Sequence, residues 1–248
     1  MGIRHSGAWK DPFYDLRHQG AWKGVQELSV REGGVWKPYW VASPDFVFTE
    51  MNQPTNFEDS SGANNGSYFS FVTSPRVYGD RSFRLDAPST TSSRTLTWED
   101  SPVYTDQQAL ALVRYNATAV SASRPGGISL RANINNSEGY HIGIEDGSRI
   151  RIREVQSGGA SSILGTWNGF DPLANTWFWF RAMAIGNQIM IRAWQYGNLE
   201  PGNWPLTVTG NDFSAGQLAV FTNSADSGRV FWDYLAFTDN TDLLIPIP

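Results

Sequence analysis

The sequence of 248 residues contains no cysteine and three histidines, two of which lie within the first 20 residues. The absence of cysteine excludes disulfides, thiolate metal sites and cysteine nucleophiles. No Ser/His/Asp arrangement and no histidine-rich metal motif is visible, so we expect no enzyme and no catalytic cofactor. The N-terminus lacks the apolar stretch of a signal peptide, and no run of about 18 apolar residues predicts a membrane span.

The charge and the aromatic content indicate the broad class. The formal net charge is −5, which gives no reason to expect nucleic-acid binding. Helix-forming runs are scarce, whereas the chain carries 11 Trp, 14 Phe, 9 Tyr and 24 Gly. Such a composition is typical of twisted sheets joined by tight turns, so we predict an all-β protein.

Three copies of one short motif occupy the first 40 residues, at positions 3–10, 16–23 and 30–37. Each copy reads aliphatic, Arg, two variable residues, Gly, small or aliphatic, Trp, Lys. We predict a β-hairpin in each copy, with residues 3–5 and 8–10 as the two strands of the first, because a glycine suits the tight turn between them.

A motif this short cannot bury a tryptophan by itself, so the copies must stack on each other or on another chain. Three hairpins could close a small pseudo-threefold barrel, or they could add strands to a neighbouring subunit. We therefore predict that residues 1–43 dock the protein and support oligomerisation, with a trimer as one option, and that residues 44–248 form a separate domain. The residues expected to act in docking are Trp9, Trp22, Trp36, Gly7, Gly20 and Gly34.

From residue 45 onward the chain reads as many short strands at regular spacing, which predicts a β-sandwich or jelly roll. Residues 110–115 alternate with period two. Residues 177–185 and 188–194 predict a hairpin across Gly186-Asn187.

Residues 45–248 resemble concanavalin A-like (laminin G-like, glucanase-like) jelly-roll domains of phage virion and tail proteins. The resemblance rests on Leu-Thr-Trp-Glu-Asp at 96–100, Trp-Phe-Trp-Phe-Arg at 177–181, Gly-Asn-Gln-Ile-Met-Ile-Arg-Ala-Trp at 186–194 and Asp-Tyr-Leu-Ala-Phe at 233–237. The N-terminal repeats look like those of phage tail and head appendage proteins.

The resemblance implies a virion structural protein at the particle surface, a tail or head appendage that contacts other virion proteins through residues 1–43. The expected function is host adsorption by binding cell-surface polysaccharide, without nucleic-acid partners or membrane insertion. A purely structural appendage without glycan binding is the first alternative, and a degenerate glycoside hydrolase is the second.

The hydrolase alternative has little support in the residues. Glucanases of this fold carry alternate carboxylates on one strand, in a Glu-x-Asp-x-Glu or Glu-x-Asp-x-x-Glu pattern, which this chain lacks. Glu99-Asp100 and Glu145-Asp146 are adjacent pairs. Because neighbouring strand residues face opposite sides, neither pair alone can form a catalytic dyad.

Glycan sites stack sugars on exposed aromatic rings. Trp167 is the first candidate, because it lies in the loop-like segment Gly165-Thr166-Trp167-Asn168-Gly169. Each candidate could instead belong to the core, which we expect for Trp177, Trp179, Trp194 and Trp204. The predicted glycan-binding set is Trp167, Tyr140, His141, Trp98 and Tyr115.

Two further groups of charged residues stand out. Alternation along the last strand predicts that Asp233 shares a face with Phe231, Leu235 and Phe237, so its carboxylate needs a cation, an arginine or several backbone donors. The glucanase-like resemblance implies a structural Ca²⁺ there with Glu50 or Asp45 nearby; a hydrogen-bonded structural aspartate is the alternative. Arg149, Arg151 and Arg153 share one strand face, which is either solvated or contacts an anionic glycan or protein.

Overall fold

The computed structural model describes the backbone of eight short strands between residues 3 and 59. It then describes residues 69–77, 82–86, 94–98, 102–116, 126–133, 138–145, 149–222 and 229–239. The strands up to residue 98 are β1 (Ile3–His5), β2 (Ala8–Lys10), β3 (Arg17–His18), β4 (Ala21–Trp22), β5 (Leu28–Glu32), β6 (Val35–Tyr39), β7 (Phe46–Phe48), β8 (Phe57–Asp59), β9 (Phe69–Val72), β10 (Ser82–Asp86) and β11 (Arg94–Trp98). The later strands are β12 (Gln107–Tyr115), β13 (Gly126–Ala132), β14 (Gly139–Glu145), β15 (Arg149–Val155), β16 (Ser161–Trp167), β17 (Trp177–Ile185), β18 (Gln188–Gln195), β19 (Leu206–Thr209), β20 (Gln217–Thr222) and β21 (Arg229–Thr238).

Two antiparallel sheets pack into a jelly-roll sandwich, which confirms the predicted fold class. The eight-stranded sheet has the order β19-β18-β17-β12-β21-β10-β9, with β7 pairing on β21. The seven-stranded sheet has the order β16-β15-β14-β13-β20-β11-β8. Within the described residues, the single helical segment is a 3₁₀ turn at Ser157–Gly159, and no helix has the length and apolar character needed to cross a bilayer.

The main core lies between the two sheets and follows the period-two alternation of the strands. From β12 it takes Ala109, Ala111, Val113 and Tyr115, and from the facing sheet it takes residues such as Ile142. Gly165 lies where β16 meets β19 at one side of the sandwich: a Cβ there would stand 2.5 Å from Val208 Cγ1. Glycine therefore allows the two edges to approach.

Arg131 holds one end of the sandwich together from a buried position. Its guanidinium donates hydrogen bonds to the carbonyls of Thr105 at 2.8 Å, Phe213 at 2.8 Å and Gly186 at 2.7 Å. Its backbone N–H donates to Gln107 Oε1 at 2.7 Å. One side chain thereby connects three separate loops.

The three N-terminal copies form two-stranded hairpins, as predicted. In every copy the arginine and the tryptophan of the motif are direct cross-strand partners, Arg4 with Trp9, Arg17 with Trp22 and Arg31 with Trp36. The sequence repeat therefore corresponds to the same cross-strand pairing in each of the three hairpins. The glycines Gly7, Gly20 and Gly34 lie outside the described residues.

A β-bulge interrupts the pairing of β12 with β21. Leu112 pairs with Tyr234 and Val113 with Trp232, so Asp233 is the extra residue. Simple alternation along β21 predicts that Phe231 shares a strand face with Leu235, and this prediction is wrong. The bulge reverses the alternation, so Trp232 and Leu235 enter the core.

Candidate functional site

Two of the predicted sugar-stacking rings lie inside the sandwich. Tyr115 and Tyr140 both have 0% relative exposure. The Tyr115 hydroxyl donates to the Gly126 carbonyl at 3.0 Å, and the Tyr140 hydroxyl accepts a hydrogen bond from the Phe213 N–H at 3.2 Å. A ring without an accessible face cannot stack on a sugar, so the structure disagrees with this assignment for both residues.

Trp167 closes the end of the sandwich near the start of β17. Its ring is half-buried, packs against the main core and lies 5.5 Å from the Phe170 ring, centroid to centroid. A Cβ on Gly169 would stand 2.6 Å from Trp167 Nε1, so the following loop crosses closely over the indole. Part of the ring is accessible, and its role in glycan binding stays a prediction.

The other two predicted aromatic positions lie on the seven-stranded sheet. His141 is buried, and its imidazole stacks on the Phe221 ring at 4.4 Å between centroids. This stacking occupies one face of the imidazole. The backbone of Trp98 belongs to β11, whereas its side chain lies outside the described residues.

The predicted arginine face on β15 contains an ion-pair cluster. Arg151 Nη1 lies 2.7 Å from Glu145 Oε2, and Arg153 Nη2 lies 2.9 Å from the same oxygen. Glu145 thus binds two arginines, and its cross-strand partner on β15 is Arg149, not a second carboxylate. Its sequence partner Asp146 lies outside the described residues, as do Glu99 and Asp100.

One carboxylate pair is formed at the edge of the sandwich, by Glu154 and Asp212. Burial, followed by contact with Asp212, raises the pKa of the Glu154 carboxyl. Asp212 contributes to this shift through hydrogen bonding and through its charge. A retaining glycosidase instead separates its carboxyls by about 5–5.5 Å. This pair therefore does not match that dyad.

Asp233 is fully buried, and its Oδ2 accepts a hydrogen bond from the Val77 N–H at 2.6 Å. This contact fits the hydrogen-bonded alternative for Asp233. Among the residues that the structure describes, no three His, Cys, Asp or Glu side chains group into a metal site. Glu50 lies outside them, so the calcium site stays a prediction.

The outer face of the eight-stranded sheet carries a surface that was not predicted from the sequence. Arg84 pairs with Phe231, Phe231 with Arg114, and Arg114 with Trp177. Tyr196 continues the register, since its N–H donates to the Trp177 carbonyl at 2.9 Å. We call these five residues the aromatic–arginine row. At about 4.8 Å per strand, its four steps span roughly 19 Å.

Most of the row is accessible. Arg84, Arg114 and Trp177 are half-buried, and Tyr196 is 38% exposed. The Arg114 guanidinium lies 5.7 Å from the Phe231 ring centroid, within cation–π range. Partial burial lowers the pKa of Arg114, although a guanidinium stays charged at neutral pH.

A buried aromatic layer lies beside the row on the same face of the sheet, two residues further along each strand. Trp179 and Trp194 are cross-strand partners with ring centroids 6.3 Å apart, and Trp179 meets Tyr234 edge to face at 5.3 Å. These rings form a second hydrophobic cluster, outside the sandwich interior, against which Trp177 packs. Trp177 therefore has a rigid base.

Further along the same face, Glu200 holds the segment that follows β18 against the sheet. Arg181 contacts Glu200 through Nε at 2.6 Å and Nη2 at 2.9 Å, and Arg192 pairs with the same carboxylate. Arg192 also donates to the Pro201 carbonyl at 2.9 Å and lies 4.3 Å from the Trp204 ring centroid. These contacts hold Trp204 over Arg192, on the far side of the Trp179 and Trp194 layer from the row.

The expectation that Trp177, Trp179, Trp194 and Trp204 belong to the core was only half right. Trp179 and Trp194 are buried, but in the second cluster, and Trp177 and Trp204 are half-buried. The sequence signal for this difference was the alternation of Trp177 and Trp179 with Phe178 and Phe180. It separates two faces of a strand but does not tell which face meets the other sheet.

No protein-family model matches this sequence, and no curated protein is similar to it in sequence. Solved structures share the fold. The carbohydrate binding module CBM66 from Bacillus subtilis superposes with a TM-score of 0.52 at 13% identity, covering 73% of this chain and 96% of the module. The cellulose induced protein Cip1 gives 0.56 at 15% identity, covering 79% and 98%.

The exoplasmic/lumenal domain of VIP36, in its Ca²⁺/Man2-bound form, gives a TM-score of 0.51 at 10% identity, covering 78% of this chain and 91% of that domain. At sequence identities this low, the superpositions establish a shared fold and nothing about function. The fold is therefore one that carbohydrate-binding modules also adopt, and the particular site has to be argued from this chain's own residues.

Proposed function

We propose that this chain binds glycans through the outer face of its eight-stranded sheet, and that it acts as a receptor-binding structural protein of a phage particle. The aromatic–arginine row carries the first part of the proposal. Trp177 and Tyr196 are adjacent, accessible aromatic residues on a rigid sheet, and Arg114 beside them supplies hydrogen-bond donors.

This chemistry suits a sugar. The apolar face of a pyranose ring stacks on an aromatic ring, while its hydroxyls need donors and acceptors at the rim. The row offers an aromatic ring, Trp177, and a hydrogen-bond donor, Arg114, on neighbouring strands. A shallow surface of this kind binds weakly, so many copies are required for firm attachment.

The fold agrees with this function without deciding it. CBM66 is a carbohydrate binding module, and the VIP36 domain has a Man2-bound form. Both proteins are thus associated with a carbohydrate and share the fold of this chain. We carry that association to this chain as part of the proposal.

The virion role rests on the N-terminal hairpins. Two-stranded hairpins are marginally stable alone, so three hairpins of this kind require a partner surface. We propose that they dock the chain to other virion proteins as a multimer and that residues 44–248 project toward host polysaccharide. A structural Ca²⁺ at Asp233 belongs to the same proposal.

The test is binding of the purified full chain, multimerised on beads, to host cells and to their isolated surface polysaccharides. We expect binding that soluble polysaccharide competes away and that Trp177→Ala reduces several-fold with folding intact. Trp167→Ala is the matched comparison, since it probes the site predicted from sequence.

Three outcomes separate the alternatives. Loss in Trp177→Ala alone supports the outer face, and loss in Trp167→Ala alone supports the end of the sandwich. If the multimerised chain binds neither cells nor polysaccharides, the glycan-binding proposal is wrong, and a purely structural appendage replaces it.

A further inference from the structure

We infer that the glycan recognised by the aromatic–arginine row is acidic: a saccharide polymer that carries carboxylate or phosphate groups. This inference rests on the proposed function and adds the ligand class. It is carried by the identity, surroundings and charge of the arginines on the outer face of the eight-stranded sheet.

The chain uses its two basic residue types in different places. Its only lysines, Lys10, Lys23 and Lys37, belong to the N-terminal repeats, so every cation of residues 44–248 is an arginine or a histidine. Arginine presents a planar fork of donors that matches a carboxylate or phosphate with two parallel hydrogen bonds, which lysine cannot do.

Most buried arginines of the sandwich are already neutralised or used in structure. Glu145 binds Arg151 and Arg153, Glu200 binds Arg181 and Arg192, and Arg131 donates to loop carbonyls. Their donors are directed at partners within the chain. These arginines therefore stabilise the fold.

Arg114 is in a different situation. Its Nε donates to the Asn175 carbonyl at 2.9 Å and its Nη2 to Asn175 Oδ1 at 3.1 Å. Both acceptors are neutral, so Asn175 orients the guanidinium without balancing its charge. The group is thus fixed in place, charged and half-buried, which favours recognition of an anion.

The aromatic neighbours of Arg114 indicate that the anionic group is carried by a sugar. Phe231 lies on one side of Arg114 and Trp177 on the other, each as a direct cross-strand partner. A saccharide ring stacked on Trp177 would place a ring substituent within reach of Arg114, one strand away. A flat anion without a sugar ring would leave Trp177 unused.

The charge of the surface points the same way. No member of the row is acidic, and the Arg114 guanidinium in it donates its two hydrogen bonds to neutral acceptors. The chain as a whole carries a net charge of −5. The charged Arg114 guanidinium attracts an anionic polymer locally even on an acidic protein, and salt should weaken that attraction.

The test uses polymers that separate charge from sugar. The full chain is assayed by biolayer interferometry against polygalacturonate, its fully methyl-esterified form, poly-L-glutamate and a phosphomannan, at low and high NaCl. We expect about tenfold or greater preference for an acidic polysaccharide over the neutral ester and over poly-L-glutamate, and weaker binding in salt. Comparing polygalacturonate with phosphomannan identifies the anionic group.

Variants locate the effect. Arg114→Gln should weaken binding of the acidic polysaccharide about tenfold, and Arg114→Lys should be intermediate because it keeps the charge but loses the fork. Arg149→Gln, an exposed arginine on the seven-stranded sheet, is the matched control and should change nothing. If Arg114→Gln does not fold, the wild-type chain is used instead. Galacturonate oligomers and their methyl esters are then compared as competitors for its binding to the acidic polysaccharide.

Several results would overturn the inference: equal binding of polygalacturonate and its ester, equal binding of poly-L-glutamate, or a loss in Arg149→Gln in place of Arg114→Gln. A chain that binds only neutral glycan, through Trp177 and independently of Arg114, refutes the acidic ligand and leaves the proposed function standing. A chain that binds no glycan refutes both.

Discussion

Arg114 and Trp177 are direct cross-strand partners on the outer face of the eight-stranded sheet. Asn175, two residues before Trp177, fixes the Arg114 guanidinium through two hydrogen bonds. A charged group and an aromatic ring are thereby held side by side by the same short segment. This pairing places the donor and the stacking surface that a sugar requires at one position on the sheet.

The two layers of the outer face should respond differently to mutation. Trp177→Ala should weaken glycan binding several-fold and cost little stability, because its ring is half-buried. Trp179→Ala removes a buried ring and should cost about 3–5 kcal/mol of unfolding free energy. Chemical denaturation beside a binding assay checks both. A severe loss of stability in Trp177→Ala would show that the ring is structural.

Arg131→Met should destabilise the sandwich by about 3 kcal/mol, because three loop carbonyls lose their donor at about 1 kcal/mol each. Urea unfolding measures this change. Arg149→Met, at an exposed position, is the control and should stay within about 0.5 kcal/mol of wild type. Similar stability of the two variants would mean that the loops do not depend on Arg131.

Alkaline pH should unfold the chain through two buried tyrosines. Burial raises the pKa of Tyr115 and of Tyr234 above the unfolded value near 10. The unfolded chain then releases protons first, so stability holds below about pH 10 and falls above it. At pH 11 the loss is about 3 kcal/mol for the pair.

Thermal or urea unfolding between pH 8 and 11 checks this prediction. The double variant Tyr115→Phe/Tyr234→Phe should lose less stability between these pH values than wild type, although it starts lower because the hydrogen bond to Gly126 is gone. An unchanged pH dependence in the double variant would assign the alkaline unfolding to other groups.

The hairpin tryptophans should act in assembly. Trp9→Ala, Trp22→Ala and Trp36→Ala should each weaken assembly of the chain into a multimer, since truncating a packed tryptophan costs about 3–5 kcal/mol. The melting transition of the sandwich should not move, and residues 44–248 alone should fold as a soluble monomer. Light scattering and calorimetry measure these effects; an equal loss of the sandwich transition would mean that both parts share one core.

Much of the fold could be predicted from local patterns. The hairpin of β17 and β18 was predicted because alternation is strong on both sides of Gly186-Asn187, and the three N-terminal hairpins follow from the repeated glycine. Alternation along β17 is also a local signal, and the structure places Phe178 and Phe180 in the main core and Trp179 in the second cluster. Each of these features depends on residues close together in the chain.

The candidate site could not be predicted, because it depends on register between distant strands. Arg84, Arg114 and Phe231 come together only through pairings across more than 100 residues. The bulge at Asp233 reverses a strand face without any local signal, and the burial of Tyr115 depends on which face meets the other sheet. The local sequence favoured Trp167, since a glycine-flanked position suggests an exposed loop.

Hydroxyl-radical footprinting of the chain with and without bound polysaccharide tests the central claim most directly, because it reports where the ligand lies without any mutation. We predict that binding lowers the oxidation of Trp177 and Tyr196, while oxidation of Trp167 stays unchanged. Protection of Trp167 with no change at Trp177 and Tyr196 would contradict the outer-face site, as would an unchanged pattern under conditions where binding is measured.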